Sequence, residues 1–384
     1  TSLGKQLPTD NPQSDGRIQE GVDLALTGGT LYVEPATYSE SVTVPVDGLT
    51  IAGRSGTAAD VIVTPPAGNG FTVTASDVSI EHLQVTGAVG GAHGIQWTTG
   101  SGLLQLSNLE LLSNDGNGIA AASVGNLVLT DVISNNNTGR GLNVVASGNL
   151  TLSGVTARDN GAEAIVASNV GDVNLDGVIT NAVISITVAD QINVLGTVES
   201  HTGDVTLEAI GDIQINSAVT TDSGSATANA DNDLRFSAAG SLTTAGGTIL
   251  LSADADSNAT GIGGAIAMSD GSSVDSGSGT ITLTADEDIT VSRLVTTNAT
   301  SSAVTISITS GSLLDAGNTG GEDITATDPD AVLTINAATG IGATGNSLET
   351  NITTLVASVT GNGVVNIVET NAIDLAKATT AGGS

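Results

Sequence analysis

The chain of 384 residues is long for one ordinary globular core, yet aromatic residues make up only 1% of it, so large rings do not supply its buried area. Eight Lys and Arg against 40 Asp and Glu give a formal charge of −32, which repels phosphate backbones and anionic membrane surfaces and excludes nucleic acid as a partner. A positive mean hydropathy separates the chain from disordered acidic tails, and no apolar run reaches the roughly 18 residues of a membrane span, so no membrane insertion is expected.

The absence of cysteine removes disulfides, thiolate metal sites and cysteine nucleophiles together. The chain opens on Thr1 with no charged-then-apolar leader, which reads as a mature or excised product whose export signal, if any, lies outside it. The acidic, Lys-poor, Ser/Thr/Gly/Asn-rich composition points to an extracellular setting. Residues 1–30 read as a cap segment. Asp15 is placed as N-cap of a short helix with Ile18, Val22, Ala25 and Leu26 on one face, ended by Gly28-Gly29. Such a helix would cover the open edge of the first repeat.

Residues 31–184 repeat with a period of 23. Leu106, Leu129, Leu152 and Leu175 share one position of it, and Leu109, Val132, Val155 and Val178 another. Within each unit apolar residues alternate over short runs, as in Val78-x-Ile80 and Leu83-x-Val85, which is strand spacing. Gly, Asn and Asp separate the runs and suit tight corners. A helix-free unit of this length holding two or three strands is one coil of a β-solenoid. At about 22 residues per coil the chain should hold about 16 coils, stacked at the parallel-strand spacing. Asn114, Asn137 and Asn160 recur at one corner, so stacking should build a ladder of amides, each able to donate and accept.

Residues 185–384 continue the solenoid in a second dialect with 21- to 32-residue repeats, such as Gly203–Ala209 followed by Gly211–Ile215 and Thr248–Ala253 matched by Thr280–Ala285. Acidic pairs recur after its strands: Asp231-x-Asp233, Asp254-x-Asp256, Asp286-x-Asp288 and Asp328-x-Asp330, with Glu322-Asp323 beside the last. Carboxylates crowded on loops are the hard oxygen ligands that Ca²⁺ takes. Asp254, Asp256, Asp286, Asp288, Asp323, Asp328 and Asp330 are therefore the candidate metal ligands, with no cofactor otherwise required. Around Val364–Leu375 no cap is evident. Val365 and Ile367 mark a strand edge open to self-association, promoted by Ca²⁺ or salt, or to continuation in a larger surface protein.

Ser14 to Gly53, including "TLYVEPATY", resembles the opening of pectin-lyase-like right-handed parallel β-helix proteins, and the likeness runs through the 23-residue coils to about Ile179. Units such as "GDVTLEAIGDIQI" and "GTITLTADEDITV" look like the repeats of large secreted bacterial adhesins of the filamentous-haemagglutinin type. The resemblance implies an all-β, single-stranded right-handed parallel β-helix with a short N-terminal capping helix. It specifies function weakly, because this fold carries lyases, hydrolases, adhesins and spacers alike.

Polysaccharide-cleaving members need clustered carboxylates and a poised base. Here the basic residues are dispersed, His93 in Gly91-Ala-His-Gly94 reads as a corner residue, and Trp97 is the only indole available for stacking on sugars. The expectation is a non-enzymatic structural or adhesive solenoid of a bacterial cell surface with no catalytic residues, with a surface glycan or cell-surface ligand as a candidate partner. The alternative is a carbohydrate-active lyase or glycoside hydrolase.

Overall fold

The structure, a computed structural model, describes residues 17–122, 124–145, 147–188, 190–254, 263–317, 319 and 321–381. Two compact units divide the chain, one ending at Val188 and one beginning at Ala189. Each is a parallel β-solenoid whose coils lay strands on three faces.

In the first unit the first face holds Thr30–Val33, Thr50–Gly53, Leu150–Ser153 and Val173–Asp176, and the second holds Ala36–Tyr38, Val61–Val63, Thr156–Ala157 and Val178–Thr180. Three long strands, Val78–Thr86, Leu103–Leu112 and Asn126–Asn135, cross both faces. The third face carries Val42–Val44, Phe71–Val73, Ile95–Trp97, Ile119–Ala122, Leu142–Val145, Ile165–Val170 and Ile184–Val188. Register follows the sequence period: Leu106, Leu129, Leu152 and Leu175 stand one above another and are buried. Every second residue of a strand points inward, so apolar alternation becomes a column of aliphatic side chains. Trp97 belongs to this interior and not to a coil face. It is buried in register with Ala121, whose small side chain leaves it room.

Between the first two faces the chain bends at one residue per coil, and that residue is left-handed: His82, Asn108 and Asp131 at φ +56°, +50° and +52°, then Gly154 and Gly177. Asn, Asp and Gly adopt this conformation at the least cost, which explains their recurrence at the corner.

The cap helix is shorter than the sequence suggests. It spans Ile18–Asp23, and Asp15 lies outside the described residues. Its first amides are capped from a distance: Ile18 N and Gln19 N donate to the two carboxylate oxygens of Glu40 at 2.7 and 3.1 Å. Ile18 and Val22 are buried as expected, whereas Leu26 lies past the helix end and is 80% exposed.

The second unit places Ile192–Val194, Ile213–Ile215, Leu234–Phe236, Ile266–Met268, Ile289–Val291, Ser312–Asp315 and Gly340–Ile341 on its first face. Its second face holds Val198–Ser200, Ala218–Thr221, Ser241–Thr244, Ser273–Asp275, Leu294–Thr296, Ile324–Ala326, Leu348–Ile352 and Ile367–Glu369. The third face begins at Val205–Ala209 and ends at Thr354–Val359 and Asp374–Thr380. Third-face strands of the two units number fifteen among the described residues, one fewer than the coil arithmetic suggests. No helix among the described residues is long and apolar enough to cross a membrane.

Inward columns should dominate stability. Leu129→Asp or Leu152→Asp buries a carboxylate among aliphatic side chains and should abolish cooperative unfolding of the first unit. Thr151→Asp, at a partly exposed outward position beside Leu152, should shift stability by no more than about 0.5 kcal/mol. Thermal and urea denaturation followed by circular dichroism reads both.

Candidate functional site

The three corner asparagines form one hydrogen-bonded stack. Asn114 Nδ2 donates to Asn137 Oδ1 at 2.9 Å, and Asn137 Nδ2 to Asn160 Oδ1 at 3.1 Å. The same oxygens accept the backbone amides of Asn114 and Asn137, both at 3.0 Å, and Asn114 Oδ1 takes Ala88 N. Each amide thus joins its own coil to the next while satisfying a buried N–H. The preceding residues, Ser113, Asn136 and Asp159, are all left-handed.

A neighbouring column was not singled out from sequence. His93 N donates to Asn69 Oδ1, His93 Nδ1 accepts Asn117 N at 2.9 Å, and Arg140 N donates to Asn117 Oδ1. Burial lowers the His93 pKa, consistent with a neutral ring whose Nδ1 is an acceptor. His93 is therefore built into coil stacking. Arg140 pairs with Glu163 at 2.8 Å, and Arg235 with Asp212 and Asp233. His201, which shows no partner in the sequence, stands 2.8 Å from Asp222 and 3.5 Å from Glu199.

In the second unit a buried hydroxyl replaces the amide at the corner between second and third faces. Ser200 donates to Gly203 O, Thr221 to Gly224 O, Thr244 to Gly247 O and Ser276 to Gly279 O, each three residues ahead at 2.5–2.9 Å. The signal was present as Ser/Thr-x-x-Gly at each corner, hidden by the abundance of these residues.

Among the described residues the acidic pairs do not gather into one group of converging carboxylates. Asp233 Oδ1 accepts Gly264 N and Ala265 N, Asp288 Oδ1 accepts Ser312 N, and Asp328 Oδ1 accepts Asp330 N, so these carboxylates fasten loops and turns. Asp254 and Asp286 flank Gly264, where an added Cβ would lie 2.9 and 3.2 Å from theirs. Asp256 lies outside the described residues.

Among the described residues a different set converges: Asp315, Asp323 and Glu349 each bring a carboxylate oxygen within 4.8 Å of the others. Asp315 ends its strand, Asp323 immediately precedes Ile324–Ala326, and Glu349 lies in Leu348–Ile352. Asp323 and Glu349 are tied by Asp323 N to Glu349 O and Glu349 N to Asp323 Oδ2, both 2.9 Å. Burial first, and then the Asp315 charge, a hydrogen bond that protonated Asp323 can give the Asp315 carboxylate, and the Glu349 charge push the Asp323 pKa up to about 8, although the Glu349 amide opposes the shift. Of the predicted ligands only Asp323 is in this group. At this corner of the preceding coil two residues separate Val291 from Leu294, whereas an insertion puts eight between Asp315 and Ile324, so the nearness of Asp315 to Asp323 is concealed by sequence spacing.

This geometry defines the chain as a parallel β-solenoid. A family model described as "Right handed beta helix region" matches residues 47–208. No curated protein and no solved structure matches the chain.

Two outcomes follow from these corners. Asn137→Ala leaves the buried Asn114 amide without its acceptor and should cost about 2–4 kcal/mol, read as a lower denaturation midpoint. Asp323 binds its proton more tightly folded than unfolded. With chelator present its contribution is complete below its ordinary pKa of 3.8 and is lost as pH rises through about 8. Thermal midpoints measured across that window should fall with pH, and Asp323→Asn should flatten the slope.

Proposed function

We propose that the protein is a non-enzymatic structural or adhesive β-solenoid of the bacterial exterior, serving as a stalk, adhesin segment or filament subunit. The observation that carries this reading is the use to which polar side chains are put. Asn, His, Asp, Ser and Thr at the corners donate to or accept from adjacent coils and turns, building mechanical continuity. Outward Thr282, Thr305 and Thr334 stand in register on consecutive coils of the third face, a regular hydroxyl row suited to a repetitive surface glycan.

The last described coil supplies the second part of the reading. Val365 makes an isolated parallel bridge to Ile341, Ile367 pairs with Leu348 as a strand residue, and both are half-buried. Leu375 is 56% exposed, whereas Leu355, its partner in the preceding coil, is buried. This edge offers a template for one more coil, from the same chain or another.

Incubation with polygalacturonate or alginate should release neither reducing ends nor unsaturated uronides. Release that disappears on substitution of one Asp would overturn the structural reading in favour of a lyase or hydrolase. In sedimentation experiments, NaCl should promote end-to-end association by screening the net charge, and Ile367→Lys should suppress it. A monomer at every ionic strength would remove self-association from the proposal.

A further inference from the structure

Asp323, the residue before Ile324–Ala326, is hydrogen-bonded to Glu349 of the adjacent parallel strand, and Asp315 lies beside them at the end of Ser312–Asp315. Like charges so stacked repel, and here burial deprives them of water. Asp323 is 0% exposed and Asp315 7%. Each carboxylate spends one oxygen on a nearby donor: Asp315 Oδ1 on Gly317 N, Asp323 Oδ2 on Glu349 N, and Glu349 Oε1 on the Ser347 hydroxyl. With all three ionised, the other oxygens, Asp315 Oδ2, Asp323 Oδ1 and Glu349 Oε2, are buried without any hydrogen-bond donor. None of the three residues forms an ion pair with Lys, Arg or His among the described residues. Buried unpartnered carboxylate oxygens that converge from three directions are the donor set of a hard cation.

We propose that Asp315, Asp323 and Glu349 bind one Ca²⁺ ion that ties the end of Ser312–Asp315 to Ile324–Ala326 and Leu348–Ile352. Ca–O distances of about 2.3–2.6 Å allow one ion to be shared by oxygens up to about 5 Å apart, which accommodates the separation here. Mg²⁺, at about 2.0–2.1 Å, requires a tighter set and is disfavoured. A surface depression of about 240 Å³ lined by Gly321, Glu322, Glu349 and Thr370 reaches the Glu349 side and gives ion and water an approach. The inference stands independently of the proposed structural role, since an enzyme could equally carry such a pin.

The test uses the full chain, stripped with chelator and titrated with CaCl₂ or MgCl₂ at constant ionic strength, by calorimetry and by thermal melting. Expected are one saturable Ca²⁺ site, a rise in thermal midpoint on binding, and at least ten-fold weaker binding of Mg²⁺. Asp323→Asn and Glu349→Gln should each weaken Ca²⁺ at least ten-fold and abolish the Ca²⁺-induced rise, whatever they do to the starting midpoint. Glu349→Gln, at a partly exposed position, serves if Asp323→Asn does not fold. The double variant Asp328→Asn/Asp330→Asn, which also removes two acidic side chains from this part of the chain, should bind Ca²⁺ as the parent does. Absence of a saturable site, unchanged binding in Glu349→Gln, or equal loss in the Asp328/Asp330 variant would overturn the proposal.

Discussion

In-register parallel stacking is the constraint on which the rest of the molecule depends. A coil placed on its predecessor sets each side chain above its own counterpart, so every position must tolerate repetition. Aliphatic residues do so by burying surface against one another, as in the Leu106–Leu129–Leu152–Leu175 column. Amides do so because each carries both donor and acceptor, and Asn114, Asn137 and Asn160 use both. Carboxylates do not, because like charges are placed one coil apart. Their dispersal onto loops, where they accept backbone amides, follows from that rule. Asp212 and Asp233 stack with Arg235 between them, whereas the Asp315–Asp323–Glu349 group breaks the rule in the interior with no such cation among the described residues.

The same constraint explains why the two units differ locally while sharing one fold. A corner must reverse the chain and satisfy the amides and carbonyls it exposes to the interior. In the first unit a left-handed residue turns the chain and the following Asn bridges to the next coil. The second unit closes the equivalent corner within a coil, a Ser or Thr hydroxyl donating to the carbonyl three residues ahead. The first solution couples coils through side chains and therefore demands a constant period. The second acts mainly within a coil, although Thr244 also donates to Ser276 O of the next, and the second unit holds repeats from 21 to 32 residues.

The legibility of the sequence follows the same division. Where coil coupling fixed the period, the Leu and Asn columns could be read to the residue, and the strands they implied are those of the structure. Where closure is local, period carries less information: Ser200, Thr221, Thr244 and Ser276 resemble ordinary surface residues although all are buried. The cap helix was visible from Ile18 and Val22, but its capping carboxylate, Glu40, lies 22 residues from Ile18 and has no local signature. Asp323 could be recognised as acidic and loop-bound, yet its neighbours Asp315 and Glu349 are set by an insertion and by strand register, neither of which spacing alone reveals.

Net charge sharpens the significance of that cluster. At −32, each further buried carboxylate is ionised against the field of the whole chain as well as against its neighbours. Three apolar or amide residues at these positions would stack without such a penalty, as they do at other coils. The site keeps three acids and leaves a buried oxygen of each without a donor, and of the three only Glu349 borders the surface depression. A proton on Asp323 relieves only part of the repulsion, since a single proton cannot serve three oxygens that need donors. A divalent cation in contact with all three would relieve more of it, and that balance of charge is the physical ground of the proposed Ca²⁺ site.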